Sequence, residues 1–152
     1  MTILGKMAQI ENAMAEFYRR AGAACASDAG FWTGLAGEET HHGAVIGAMV
    51  NLVVKRKGAG FSANRVFTAA ALDTFQKIVN KNVSSLTDGS LTGDRVYYAA
   101  RDLESALIET KYWELLKTDD PGYTELIRLV ESETVAHHAR LEERIRTIKP
   151  VE

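Results

Sequence analysis

The sequence predicts an all-α domain: a four-helix bundle with one long crossover connection that carries an additional helix. Three observations predict it. Apolar residues recur at helical spacing through most of the 152 residues, and only two prolines, Pro121 and Pro150, interrupt the chain. Four of the resulting runs are about 24–28 residues long, or roughly 36–42 Å at 1.5 Å per residue. The chain also repeats itself weakly. Ile10-Glu11-Asn12-Ala13-Met14-Ala15-Glu16 resembles Leu103-Glu104-Ser105-Ala106-Leu107-Ile108-Glu109, 93 residues later, and His41-His42 recurs as His137-His138, 96 residues later. A helical hairpin used twice closes into a bundle and sets equivalent residues face to face.

The first helix is expected from Ile3 to about Ala26, with Leu4, Met7, Met14, Phe17 and Ala21 forming a stripe on which Glu11 and Tyr18 also fall. Ser27-Asp28 breaks it and offers a cap to the next. The second runs from about Gly30 to Lys55 on the stripe Trp32, Leu35, Glu39, His42, Ile46, Met49 and Val53, and ends at Lys57-Gly58-Ala59-Gly60. A third stretch, about Ala63 to Leu86, carries Val66, Phe67, Ala70, Phe75, Ile78 and Val79 before Thr87-Asp88-Gly89-Ser90 breaks it. The fourth is expected over about Asp94 to Lys117, with Tyr97, Ala100, Glu104, Ile108, Lys111 and Leu115 on one side. Thr118-Asp119-Asp120-Pro121 is a stop followed by a start, because aspartates suit the first turn and proline the first helical position. The last helix covers about Pro121 to Ile148 on Leu126, Val130, Thr134, His137, Leu141 and Ile145. No strand is expected. The organisation is a single domain: hairpin 3–56, crossover 57–91, hairpin 92–148.

Composition narrows the function classes. With 46% hydrophobic and 25% charged residues the chain is ordinary for a globular domain. A net charge of −2 argues against a general nucleic-acid or anionic-membrane binder. The single cysteine, Cys25, excludes an intrachain disulfide, a CxxC zinc ribbon and a rubredoxin-type iron centre. The N-terminus has no secretory pattern, and the most apolar stretch, Gly43 to Val54, is about 12 residues, short of a membrane span. A soluble cytoplasmic protein is expected, without nucleic-acid or membrane partners.

The chemistry lies on the helix stripes. Glu39 and His42 are three apart, so they share a face, and that face is the core face between Leu35 and Ile46. Glu11 and Glu104 occupy core stripes of two other helices. Three unpaired carboxylates in one apolar core would cost several kcal/mol each. A metal ion removes that repulsion, and mixed Glu/His ligation suits iron, manganese or zinc.

One Glu on each of two helices with Glu-x-x-His on the other two is the pattern of ferritin-like di-iron bundles. Leu35-Ala36-Gly37-Glu38-Glu39-Thr40-His41-His42 resembles the Leu-Ala-x-Glu-Glu-x-x-His second-helix motif of the rubrerythrin branch of that superfamily, and Glu11 with Tyr18 resembles its first-helix Glu-x6-Tyr. The resemblance covers the four main helices. It implies a ferritin-like fold and a metal site of Glu11, Glu39, His42, Glu104 and a last-helix histidine, holding one or two irons. It further implies oxidoreductase activity toward peroxide or dioxygen, a separate electron donor, and a homodimer.

The chain departs from the pattern on its last helix. Three residues before His137 stands Thr134, and three before His138 stands Val135. Glu131, seven before His138 and in phase with it, and Glu133, four before His137, are the nearby acids; Glu131 is taken as the candidate ligand. His137 sits nearer the middle of the apolar stripe, so His137 and His138 both stand as candidates. Lys111 occupies the position aligned with Tyr18 and offers a cation that neutralises a carboxylate without metal. The bland readings stand beside these. Glu39 and His42 form a buried hydrogen bond, Tyr18 is a core tyrosine or a hydrogen-bond donor to a ligating carboxylate, and His41 is exposed. Cys25 is a small filler, Lys55-Arg56-Lys57 closes a helix, and Trp32 and Trp113 are anchors. Thr134, Val135 and Lys111 motivate the alternative function, a degenerate metal-poor bundle serving as a dimeric structural or interaction module, in which Glu39 and His42 are a relict pair held by hydrogen bonds and Lys111.

Overall fold

A computed structural model of the chain describes residues 3–63, 69–110 and 116–148. Five helices dominate: α1 Ile3–Ala24, α2 Ala29–Lys55, α3 Ala69–Thr87, α4 Asp94–Thr110 and α5 Pro121–Ile148. A single 3-10 turn, Ala26–Asp28, links α1 to α2. The fold is all-α. The helices pack as α1 on α2, α1 on α3, α4 on α5 and α2 on α5, and one apolar core takes side chains from all five. Met7, Ile10, Met14, Phe17 and Tyr18 of α1 and Trp32, Leu35, Ile46 and Met49 of α2 are sealed from solvent. No helix among the described residues is long and apolar enough to cross a membrane.

The sequence expects no strand, yet two short ones pair: β1 Phe61–Ala63 and β2 Leu116–Thr118, antiparallel with Phe61 opposite Thr118. Three residues are too few to show alternation. The pairing follows from what flanks the strands. After α2 the chain reverses through left-handed positions at Lys57, Gly58 and Gly60, with φ of 52°, 74° and 81°, and only glycine takes such angles without strain. Because α2 and α5 pack together, the chain leaving α2 meets the chain entering α5. Phe61 then stands edge-on to Tyr123 of α5, with ring centroids 5.4 Å apart.

Two expected boundaries therefore move. Lys117, expected at the end of the fourth helix, lies in β2, and Ala63, expected at the start of the third, lies in β1. Val66 and Phe67, and the expected roles of Lys111 and Trp113, lie outside the described residues. The start of α5 is as expected: Asp120 Oδ1 accepts the Tyr123 N–H at 2.9 Å, one turn into a helix opened by Pro121. Asp28 differs. It makes no side-chain cap on α2; its carboxylate instead accepts the Tyr97 hydroxyl and binds Arg144 near the far end of α5.

Gly22 sits where α1 packs against α2, and a Cβ added there meets Trp32 Cβ at 3.3 Å. A Cβ at Gly34, in α2, meets nothing within 4 Å. Gly34→Ala is expected to stabilise the protein by about 0.8–1 kcal/mol, the gain in helix propensity. Gly22→Ala should gain less or nothing, because that Cβ is fixed to backbone and forces the helices apart. Denaturant unfolding of the two variants checks this, and equal gains would refute the close approach.

Candidate metal centre

Four helices each bring polar side chains to one buried point. Glu11 lies between the Met7 and Met14 turns of α1, and Glu39 and His42 between Leu35 and Ile46 of α2. Glu104 follows Leu103 in α4, and His137 lies between Val130 and Leu141 of α5. None of the five is more than 1% exposed. Their positions follow from helical phase: each falls in the apolar stripe of its own helix, so docking the stripes drives them together.

Glu39 is the centre of the arrangement. One of its oxygens, Oε1, lies 2.9 Å from His137 Nδ1, and the other, Oε2, lies 3.2 Å from His42 Nδ1. Glu11 flanks the His42 side at 3.5 Å and Glu104 the His137 side at 3.5 Å. The two imidazole rings lie nearly parallel, 18° apart, with centroids 5.2 Å apart. The constellation therefore has approximate two-fold symmetry: Glu11 with His42, Glu104 with His137, and Glu39 between them. Tyr18 donates its hydroxyl proton to Glu104 Oε1.

The outward nitrogens also face carboxylates. His42 Nε2 meets Glu133 of α5, and His137 Nε2 lies 3.4 Å from Glu38 of α2, which is itself held by Arg140. Each histidine thus has its outer side covered by an acid from the opposite helix. Glu133 and Glu38 are half-exposed, with side chains 27% and 40% accessible.

Of the seven expected ligands, Glu11, Glu39, His42, Glu104 and His137 come together and two stay apart. His138 points away, with Nε2 2.9 Å from Ser105 Oγ and 3.6 Å from Glu142. Glu131 is exposed, on a face of α5 turned from the cluster. Thr134 is buried where the resemblance expects a carboxylate, and its hydroxyl donates back to the Val130 carbonyl at 2.7 Å. The acid that α5 does supply is Glu133. A spacing of four places it on nearly the same face as a spacing of three, a signal available in the sequence. That it reaches across to His42 depends on how α2 and α5 dock.

Burial and charge shape the protonation of the metal-free cluster. Burial raises the Glu11 carboxyl well above its usual range, and the neighbouring Glu39 charge adds to this. Burial also opposes ionisation of Glu39, but the neighbouring Glu11, His137 and His42 together hold it below the usual range. Burial alone would lower His42, yet the adjacent Glu11 and Glu39 carboxylates outweigh it and lift the imidazole to about 11. His137 rises to about 9 in the same way, through Glu104 and Glu39. Burial raises Glu104 to about 7, eased by His137 and reinforced by the Glu39 charge.

The residues fit a metal ion. Both oxygens of Glu11 and Oε2 of Glu104 are buried with no hydrogen-bond partner. Such orphans are costly and call for a partner. Glu39, His42 and His137 offer one ligand atom each within 4.8 Å of one another. Carboxylate oxygens with imidazole nitrogens suit iron, manganese or zinc. A scan against protein-family models and searches of curated proteins and of solved structures find no match to this chain.

The stability of the metal-free protein should fall as pH rises. Glu104, His42 and His137 all have raised folded-state values, so what each contributes is complete below its unfolded value and lost as pH climbs through its folded one. For Glu104 that window runs from 4.5 to about 7, and for His137 from 6.5 to about 9. Thermal melts in chelator should show a lower midpoint at the top of the His137 window than at its foot. A midpoint that rises across it would contradict the buried histidine–carboxylate pairing.

Proposed function

We propose that this chain is a ferritin-like, rubrerythrin-like protein whose buried Glu/His cluster holds iron and acts as an oxidoreductase toward peroxide or dioxygen. The observation that carries this is the convergence of Glu11, Glu39, His42, Glu104 and His137 from four helices, with three carboxylate oxygens of Glu11 and Glu104 unpartnered. Iron bound there would supply one-electron redox chemistry, with zinc or manganese as the alternatives that the donor set also accepts. The residues that would hold it are those five.

The rest is done by the protein. Glu133, against His42 Nε2, keeps a proton on that nitrogen and leaves the Nδ1 lone pair, on the side of Glu39 and Glu11, free to hold a metal. Tyr18 satisfies one oxygen of Glu104 and leaves the other unpartnered. The apolar surroundings, from Met7 and Met14 to Ile46 and Leu141, exclude water and strengthen each electrostatic interaction within. Thr134 contributes no carboxylate, so the site carries less negative charge than the pattern it resembles.

A second reading rests on the same residues. Two histidines raised to about 11 and about 9 are both cationic at neutral pH and by themselves compensate the carboxylates. A bundle neutralised in this way needs no metal and would serve as a structural or interaction module.

Metal analysis and the absorption spectrum of protein purified from iron-supplemented cells separate the two. Stoichiometric iron with an oxo-bridged ligand-to-metal band supports the first reading, and only traces after reconstitution support the second. Glu39→Ala should abolish uptake; a variant that loads as well as the parent would misplace the site. Glu133→Gln keeps the shape of the side chain and should weaken metal affinity by roughly 10–100-fold, as loss of an outer-sphere carboxylate does. Competition titration with a chelating dye measures it.

A further inference from the structure

An unbroken file of aromatic rings leads from the Glu/His cluster to the surface. At the inner end Tyr18 is hydrogen-bonded to Glu104 and stacks on Trp32, with centroids 6.0 Å apart and planes 25° apart. Trp32 is fully buried and lies 4.8 Å from Tyr97. Phe31 closes the group, 5.2 Å from Trp32 and 6.3 Å from Tyr97. At the outer end the Tyr97 hydroxyl donates to Asp28 Oδ2 at 2.6 Å, and Arg144, 41% exposed, donates to the same oxygen at 2.8 Å.

The geometry points to an electron relay, Tyr97–Trp32–Tyr18, that joins the cluster to a docking face at Asp28 and Arg144. This rests on the reading of the cluster as a redox metal centre and names where its electrons enter. Tyrosine and tryptophan are the side chains most readily oxidised by one electron, and tunnelling decays so steeply with distance that rings in contact carry charge where a single long jump would not. Ordinary core packing explains the ring contacts. It does not explain why both terminal hydroxyls of the file meet carboxylates, one at the cluster and one at the surface.

Trp32 gives one electron, by way of Tyr18, to a one-electron oxidant at the cluster, an oxidised transition-metal ion. The tryptophan radical cation is refilled from Tyr97, and the phenolic proton passes to Asp28 Oδ2 as that electron leaves. The neutral Tyr97 radical then takes one electron from an external one-electron donor protein at the Asp28–Arg144 face and recovers its proton from Asp28. One electron has crossed, no proton is consumed, and every side chain ends as it began. Arg144 keeps Asp28 anionic and ready to accept.

The test needs no metal. A ruthenium polypyridyl photo-oxidant tethered to Cys25, beside Asp28 in sequence, is flashed in the metal-free full chain with a sacrificial quencher. Its re-reduction is followed by transient absorbance, and radicals by electron paramagnetic resonance. The parent should show a fast phase with a solvent deuterium isotope effect and a tyrosine radical signal that Tyr18→Phe removes. Tyr97→Phe, which deletes only a hydroxyl, should lose the isotope effect and the fast phase. Trp32→Phe should keep the fast phase but lose the Tyr18 signal. Tyr123→Phe, at the opposite end of α5, should match the parent. Parent-like kinetics and radicals in Tyr97→Phe and Trp32→Phe would overturn the relay, as would equal losses in Tyr123→Phe. Because no iron is present, that failure stays distinct from a failure of the metal reading, which metal analysis decides.

Discussion

Glu39 has two oxygens and gives one to each histidine. A lone carboxylate sealed from water is among the most expensive groups a core can hold, and here it is the point on which two cationic rings and two further acids are balanced. Removing it would leave His42 and His137 facing each other as like charges with centroids 5.2 Å apart. Every helix that contributes to the cluster is thereby constrained in axial position and in rotation. A slip of one residue would swing its donor by about 100° out of the core. The apolar stripes supply the energy of docking, and the polar cluster supplies the register.

The remaining architecture keeps that register. At one end the 3-10 turn and the Asp28–Arg144 ion pair tie the α1–α2 turn to α5. At the other the β1–β2 ribbon and the Arg56–Asp120 pair bind the exit of α2 to the entry of α5. Surface ion pairs of this kind stabilise little individually. Their positions matter more, because α2 and α5 supply both histidines and all three acids that touch them from those two helices, Glu38, Glu39 and Glu133.

Much of this is readable from residues in order. The phase of Glu11, Glu39, His42, Glu104 and His137 follows from counting along apolar stripes, since burial on a helix is a local periodic property. Pro121 marks the start of α5 for a similarly local reason, its fixed φ and missing N–H. What escapes is what only docking decides. Glu133 meets His42 from another helix, and no spacing within α5 announces that. Asp28 has the chemistry of a cap, but Tyr97 and Arg144, distant in sequence, compete for its carboxylate and win it. The two strands are too short to carry a pattern and form because their flanking helices are neighbours. Thr134 reads as a missing ligand, and the acid of α5 that does reach a cluster histidine, Glu133, lies one residue earlier, where a strict motif does not look.

The contacts that define the cluster span nearly the whole chain: Tyr18 to Glu104 is 86 positions, His42 to Glu133 is 91, and Glu39 to His137 is 98. Contacts of such separation are closed late, after local helices and hairpins have formed, because loop closure must be met before they give any return. Neither hairpin alone contains both sides of the constellation. The α1–α2 pair brings Glu11, Glu39 and His42, and the α4–α5 pair brings Glu104 and His137. The polar centre is thus a checkpoint on assembly. It is complete only when the two halves have docked in the correct rotation.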